Sequence, residues 1–208
     1  MNKIVDTNDL KVYYHLLLKE DTEILTEVKN NPLPKKILEK ISQYKNENDR
    51  ELRKTGKVIL RKILQDIGLN HLSTLEFLKY SDNNKPFFND PVSVSISHTE
   101  NMVICAVCRS GKLGIDIEKI TVTKYEDYSE YFTINEMEKI KKNGLKIFYE
   151  FWTMKEALSK ATGEGFLLPF NQLDLSNKEI LYKNELFYFK NFKIDNDYIA
   201  SLCYTKNN

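Results

Sequence analysis

Two short segments of this 208-residue chain carry charged side chains at spacings suited to phosphate chemistry. The first is residues 113–119, LGIDIEK. On a strand, successive side chains alternate between faces, so Asp116 and Glu118 point the same way, about 7 Å apart. Two like charges on one strand face repel each other unless a positive group lies beside them. The pair therefore indicates either a site for a hard divalent cation such as Mg²⁺, which prefers oxygen ligands, or an acidic pair that faces solvent.

The second segment is residues 151–166, FWTMKEALSKATGEGF, which has helical periodicity. An advance of about 100° per residue predicts an apolar core stripe and a separate second arc beside it. The core stripe consists of Ile147, Phe151, Met154, Leu158 and Ala161. The second arc consists of Trp152, Lys155, Glu156, Ser159 and Lys160. Packing alone does not require a charge pair beside a tryptophan on a second face, so we expect this arc to bind a ligand.

The two segments together supply three carboxylates (Asp116, Glu118, Glu156) and two lysines (Lys155, Lys160). Carboxylates for a metal and lysines for phosphates are typical of phosphoryl or phosphodiester transfer on a phosphate-rich ligand. The sequence has neither a Walker-type loop nor a GxGxxG motif, which argues against an ordinary kinase or P-loop ATPase.

Composition restricts the class of protein. Hydrophobic residues make up 41% and charged residues 29%, which is typical of a globular fold, and the formal net charge is only +1. No apolar run approaches the roughly 20 residues of a spanning helix, and the first residues lack a signal-peptide core. CysAlaValCys at 105–108 has the spacing of a redox or zinc half-site, but it lies in an apolar run without a second pair. We therefore expect buried structural cysteines in a cytoplasmic protein that contacts no membrane.

The region from Pro34 to Gly68 is rich in basic residues at helical spacing. Its cations are Lys35, Lys36, Lys40, Arg50, Arg53, Lys54, Lys57, Arg61 and Lys62. Most of them alternate with acids, so one interpretation is a solvated helix face. The other interpretation is an anion-binding rim, because clustered Lys and Arg suit phosphates. A nucleic-acid interface is disfavoured by the near-neutral net charge.

The remaining elements alternate between helices and strands. We expect strands over residues 10–18, 74–80, 92–97, 102–108 and 113–119, and short strands between Leu173 and Tyr204 (QLDL, EILY, ELFYFKNF, YIASLCY). We expect helices over residues 22–30, from Pro34 to Gly68, from the Thr133–Glu136 capping box to Lys142, and from Lys146 to Thr162. The alternating strand over residues 92–97 should present Ser97 and His98 in the loop at its end.

Order and spacing resemble the Sfp-type 4′-phosphopantetheinyl transferases, whose motifs recur between about Pro34 and Pro169. The matching motifs are Lys85-Pro86, Ser97-His98, Gly114-Ile-Asp116-Ile-Glu118, and Trp152-x-x-Lys155-Glu156-Ala157 with Lys160, Gly163 and Gly165. Asn84 stands in place of the glycine usual before Lys-Pro. The family's basic-helix arginine corresponds either to Arg50 or to Arg53.

The resemblance implies an α+β fold of two similar halves, 1–111 and 112–208, forming a pseudo-dimer with the active site in the cleft between them. It implies a monomeric enzyme that transfers 4′-phosphopantetheine from coenzyme A to a serine of an apo acyl or peptidyl carrier protein. Adenosine 3′,5′-bisphosphate would be released. Because such carriers are generally acidic, residues 121–142 are the expected docking surface.

The resemblance also implies roles for individual residues. Asp116, Glu118 and Glu156 would hold Mg²⁺, and Glu156 or a metal-bound water would help deprotonate the serine. Lys155 and Lys160 would contact phosphates of coenzyme A. The nucleotide and its 3′-phosphate would contact Lys36, Arg53, Lys85, Ser97 and His98. The alternative function is a non-catalytic module of the same fold that binds coenzyme A or a carrier, although the presence of all three carboxylates favours catalysis.

Overall fold

The computed structural model describes residues 1–18 and 21–206, with Phe166 described by its backbone alone. It divides into two compact units, Met1–Ser110 and Gly111–Asn208. Both units combine helices with antiparallel sheet, so the predicted α+β class is confirmed. The predicted pseudo-dimer stays a prediction. None of the described helices combines the length and the apolar character needed to cross a bilayer.

The first unit contains a four-stranded antiparallel sheet with the strand order β1-β2-β6-β5 and a two-stranded β3-β4 hairpin. Its strands are β1 (Asn2–Asp6), β2 (Leu10–Leu16), β3 (Lys79–Tyr80), β4 (Pro86–Phe87), β5 (Ser93–Thr99) and β6 (Met102–Cys108). Its helices are α1 (Thr22–Asn30), α2 (Lys35–Ser42), α3 (Glu47–Asp66) and α4 (Asn70–Ser73). Helix α3 packs on β6, β2 and β5, and its buried residues Ile59, Leu60, Ile63 and Leu64 form the centre of the core.

The second unit contains another four-stranded antiparallel sheet, with the order β7-β10-β9-β8. Its strands are β7 (Leu113–Lys119), β8 (Glu179–Tyr182), β9 (Glu185–Ile194) and β10 (Tyr198–Thr205). Its helices are α5 (Ile134–Asn143) and α6 (Leu145–Thr162), with 3₁₀ turns at Tyr125–Tyr131, Gly165–Leu167 and Phe170–Gln172. Helix α6 lies across β7 and β10 and buries Phe151, Met154, Leu158 and Ala161, four of the five residues of the predicted core stripe.

Local sequence signals set the ends of the two helices of the second unit. The Thr133 side chain accepts a hydrogen bond from the Glu136 backbone N–H, and the Glu136 carboxylate accepts one from Thr133 N–H, so the predicted capping box is confirmed. Helix α6 ends at Gly163, whose φ of 79° lies in the left-handed region that glycine adopts without strain. The three cysteines are free and buried, as predicted.

Two of the predicted strands are wrong. Residues 74–78 form turns, with Leu75 at φ 63° and the Leu78 N–H donating to the Leu75 carbonyl at 3.2 Å. These turns bury Leu75 and Leu78 in the core. The apolar residues of this segment are therefore explained by burial and not by a strand. The predicted QLDL strand, residues 172–175, is a 3₁₀ turn followed by irregular chain.

The close contact between β7 and α6 explains why the strand motif begins with a glycine, Gly114. A Cβ at this position would lie 1.9 Å from the Ala157 carbonyl oxygen and 2.6 Å from the Ala161 nitrogen, both in the backbone of α6. Helix α6 can therefore approach β7 closely only because residue 114 has no side chain, and this approach places Glu156 and Lys160 against the acidic strand.

We expect Gly114→Ala to destabilise the protein by about 3 kcal/mol or more, because a rigid backbone cannot yield as a side chain does. Denaturant titration of the free energy of unfolding measures this. Gly56→Ala is the matched control, since the added Cβ would meet side chains rather than backbone, namely Ile96 at 2.9 Å and Val103 at 3.5 Å. Equal stability losses in the two variants would contradict the assigned role of Gly114.

Candidate active site

The acidic strand and the last two turns of α6 meet in the second unit. Asp116 and Glu118 lie on one face of β7, in register with Ser201 and Ile199 of β10. Asp116 is buried, and its Oδ1 accepts a hydrogen bond from Lys160 Nζ at 2.6 Å. Lys160 is therefore the positive group that lies beside this acidic pair and offsets its repulsion.

Glu156 lies one turn before Lys160 on α6, and the pKa of its carboxyl group is perturbed. Its pKa is raised above the usual glutamate value, first by burial and then by the negative charge of Asp116, while Lys160 acts in the opposite direction. A raised carboxyl pKa, in the company of a second acid and a lysine, is typical of sites that transfer protons.

Lys155 is placed differently from the other charged residues of the arc. Its side chain is 0% exposed and its ammonium lies 2.8 Å from Glu136 Oε2. The same ammonium donates to the carbonyl oxygens of Phe170 and Leu173, at 2.8 and 2.9 Å. Because an ammonium has three donors, these contacts use its full capacity. Burial lowers the pKa of Lys155, and the Glu136 charge opposes that shift.

The Glu136–Lys155 pair joins three separate parts of the second unit. Glu136 Oε1 accepts from the Leu175 N–H at 2.9 Å, and its Oε2 also closes the capping box of α5. The pair thus ties α5, α6 and residues 170–175 together in the interior. The sequence pattern predicts only the capping role of Glu136, because nothing in the local pattern indicates that its carboxylate also reaches Lys155. The phosphate contact predicted for Lys155 stays a prediction.

Trp152 packs into an aromatic cluster beside α6. Its ring makes edge contacts with Tyr128 and Tyr131, with ring centroids 5.5 and 5.7 Å apart, and it stacks on Phe148 at 6.3 Å. The tryptophan of the motif therefore holds the 3₁₀ turn of residues 125–131 against α6.

The residues predicted to bind the nucleotide lie in the first unit. Ser97 and His98 are inside β5, paired with Ile104 and Val103 of β6, and are not in a loop after the strand as predicted. The ladder continues one residue further because Thr99 pairs with Met102. Lys36 donates to the backbone carbonyl of Glu76. Lys85 follows the turn in which its backbone N–H donates to Ser81 Oγ at 3.2 Å.

A cavity of about 100 Å³ in the first unit brings two of these predicted residues together. Its lining includes Arg53 and His98 together with Lys40, Lys57 and Tyr80. The Arg53 guanidinium lies 3.6 Å from the centre of the Tyr44 ring and binds Asp49 through Nε at 3.1 Å. Arg50 instead donates to the Tyr44 and Lys45 carbonyl oxygens. Of the two alternative arginines, Arg53 is therefore the one that lines the cavity. If the basic region binds an anion, as one interpretation of its sequence has it, this cavity is the site.

The donor set of the second unit matches Mg²⁺ in type, since all three predicted ligands are carboxylates. Asp116 and Glu118 share a strand face, and the charge of Asp116 acts on Glu156. Across residues 1–18 and 21–206, no three acidic, histidine or cysteine side chains are already gathered at metal-binding distance.

Comparison with known proteins points to one family. A sequence model of the 4′-phosphopantetheinyl transferase superfamily matches residues 112–203, the segment that contains the carboxylates and Lys160. The chain is 28% identical to the 4′-phosphopantetheinyl transferase gsp of Aneurinibacillus migulanus, over 68% of this chain and 62% of that protein. It is 33% identical to HetI of Nostoc sp. over 53% of this chain and 51% of that protein. It is 26% identical to Sfp of Bacillus subtilis over 79% of both chains. The aligned regions thus span under two thirds of gsp and about half of HetI.

Proposed function

Because residues 112–203 match the 4′-phosphopantetheinyl transferase superfamily, we propose that the chain is a member of it and transfers phosphopantetheine from coenzyme A to a carrier-protein serine. The acceptor would be an apo acyl or peptidyl carrier protein, and the second product adenosine 3′,5′-bisphosphate. The observation that carries this proposal is the half-buried Glu156 beside Asp116 and Lys160, inside the segment that matches the family.

The reaction forms one bond and breaks one bond. The serine oxygen bonds to the phosphorus that carries the pantetheine arm, and the bond from that phosphorus to the bridging pyrophosphate oxygen breaks. The bridging oxygen leaves with adenosine 3′,5′-bisphosphate. The serine proton is taken by Glu156, the half-buried carboxylate beside Asp116 and Lys160.

Lys160 and the acidic residues have complementary tasks in this proposal. The Lys160 ammonium moves from Asp116 toward the pyrophosphate, where it offsets the charge that develops on the leaving group. Asp116, Glu118 and Glu156 would hold Mg²⁺, and the bound cation would neutralise part of the pyrophosphate charge. Lys155 contributes through its buried contacts by fixing the position of α6.

Residues 121–142 are the proposed docking surface for the carrier. Val122 is 99% exposed and Ile134 is 80% exposed, so the segment presents apolar side chains to solvent. We expect Ile134→Glu to raise the KM for an acidic carrier several-fold and to leave kcat unchanged, because the substitution adds a like charge at the contact. Steady-state kinetics with varied carrier concentration test this, and an unchanged KM in both Ile134→Glu and Val122→Glu would contradict the assignment.

The proposed reaction is tested by incubating the full chain with coenzyme A, Mg²⁺ and an apo carrier protein and following the release of adenosine 3′,5′-bisphosphate. We expect release that requires the carrier serine and stops when EDTA removes the metal. Coenzyme A binding without release, with several unrelated carriers, would favour the non-catalytic module instead. The monomeric state and the cytoplasmic location stay predictions.

A further inference from the structure

A cavity of about 180 Å³ lies in the second unit, between α5, α6, β9 and the chain that precedes β8. Helix α6 contributes its first half to the lining, from Ile147 to Met154. The lining residues that the structure describes include none of the predicted metal, phosphate or nucleotide ligands. The cavity is therefore separate from the residues assigned to the proposed transfer step.

The buried residues of the lining are apolar. Phe151, Met154 and Leu175 belong to the core of the second unit, and Ile147 packs partly buried against the same core. An engineered protein cavity of about 150 Å³ with an apolar lining binds benzene. A volume of about 180 Å³ therefore suits a molecule with one ring or a short branched chain.

Asn191 interrupts the apolar face of β9 at this cavity. The two-residue period of a strand places it on the same face as Phe187 and Phe189, which are buried in the core. Its Nδ2 lies 3.6 Å from Met154 Sδ, which is a weak acceptor. Its Oδ1 is buried, and no group among the described residues donates a hydrogen bond to it. Because a buried acceptor without a partner is costly, this atom favours a ligand that carries a donor.

The charged residues of the lining are accessible to solvent and carry both signs. Lys139 and Lys178 are exposed, and the partly exposed Glu150 carboxylate lies 3.8 Å from Lys146. Among the described residues, no charged side chain belongs to the buried part of the lining. A charged molecule would lose its hydration in the cavity without gaining a buried counter-charge, so an uncharged ligand is favoured.

We propose that this cavity binds a small uncharged molecule with a ring-sized apolar body and one hydroxyl or primary amide group. The apolar body packs on Phe151, Met154 and Leu175, and the polar group donates to Asn191 Oδ1. A hydroxyl also accepts hydrogen bonds, so it can bond either end of the Asn191 amide. Apolar walls with one placed polar group are typical of small-molecule sites. The inference does not depend on the transfer reaction, since it uses none of the residues assigned to that reaction.

The test uses two probes that differ by a hydroxyl, benzyl alcohol and toluene, added to the full chain. Binding is followed by NMR of methyl-labelled methionine, because Met154 is the one of the four methionines that lies in the cavity lining. Met154→Leu identifies its signal. We expect benzyl alcohol to shift the Met154 signal saturably, with a dissociation constant of about 1 mM, as is usual for so small a ligand. The signal of Met102, in the first unit, should not change.

The Asn191→Val variant removes the amide and keeps a branched side chain. We expect it to weaken benzyl alcohol binding about 3- to 10-fold, the range of one neutral hydrogen bond, and to leave toluene binding unchanged. Its Tm should not fall, because the variant removes an unpaired buried acceptor. Lys190→Val, at an exposed position on the opposite face of β9, is the matched control and should leave both affinities unchanged.

Two results would overturn the proposal. One is a Met154 signal that benzyl alcohol does not shift saturably in the wild-type chain, as for a cavity that holds only water. The other is an equal change, or no change, in the affinity for both probes in a folded Asn191→Val protein. The wild-type titration alone decides the outcome if that variant does not fold.

Discussion

Replacement of Glu156 by glutamine should lower kcat for carrier loading by about 10²- to 10⁴-fold, the usual contribution of a positioned general base. Glutamine keeps the size of the side chain and can still accept a hydrogen bond, but it cannot take the serine proton. It also supplies no negative charge for Mg²⁺. The KM for coenzyme A should change much less than kcat, because the lost interaction belongs to the transition state.

The same substitution should stabilise the protein when it is measured without metal. The pKa of Glu156 is higher in the folded protein than in the unfolded chain, owing to burial and to Asp116. The folded state therefore holds the proton more tightly, and its stability falls as the pH rises from the ordinary glutamate pKa through the raised one. At neutral pH the ionised carboxylate is unfavourable, and Glu156→Gln removes it. We expect a higher Tm in EDTA at pH 7 and a smaller gain at low pH.

Glu150→Gln on the same helix is the matched control. Among the described residues, the Glu150 carboxylate pairs with Lys146 alone, an i,i+4 contact of 3.8 Å, so its replacement should change activity and stability little. A Glu156→Gln enzyme that loads carriers at the wild-type rate would exclude Glu156 as the base. A lower Tm in Glu156→Gln than in Glu150→Gln would contradict the assigned electrostatic cost.

The second large effect concerns stability. Glu136→Gln should destabilise the protein by about 3–5 kcal/mol, because it leaves the Lys155 ammonium buried without its counter-charge. Lys155→Met should be destabilising for the converse reason. The double variant Glu136→Gln/Lys155→Met should be more stable than the sum of the two single effects predicts, because neither charge is then left alone.

Denaturant titrations of the four proteins measure this coupling. Glu138→Gln, at an exposed position on the same helix, should change the free energy of unfolding by about 0.5 kcal/mol at most. Additive effects in the double variant would contradict a structural ion pair. They would leave Lys155 available for the phosphate contact that the family resemblance implies.

The sequence predicted the local structure best where periodicity and caps agreed. Helix α6 begins one residue before its predicted start and ends at the predicted residue, and β7 has the predicted bounds, because each has a continuous apolar pattern bounded by turn residues. Residues 172–175 were misassigned because side chains bind their backbone. The Leu173 carbonyl accepts from Lys155, and the Leu175 N–H donates to Glu136, so no strand partner is needed.

At the candidate site, too, the sequence predicted the placement of residues within one element but not the contacts between residues far apart in the chain. Helical spacing correctly placed Glu156 and Lys160 on one arc, and alternation placed Asp116 and Glu118 on one strand face. The buried position of Lys155 depends on its ion pair with Glu136, nineteen positions earlier. No short-range sequence pattern predicts such a pairing. The pattern of the basic region allows an anion-binding rim but does not assemble the cavity, since Lys40, Lys57 and Tyr80 come from three different elements.

Intact mass spectrometry of the carrier protein tests the central claim most directly. An apo carrier is incubated with coenzyme A, Mg²⁺ and either the wild-type chain or Glu156→Gln, and the carrier is weighed before and after. The transferase assignment predicts a gain of one phosphopantetheine group with the wild-type chain, lost in EDTA and strongly slowed with Glu156→Gln. A carrier that keeps its apo mass with the wild-type chain, although calorimetry shows that coenzyme A binds, would contradict it.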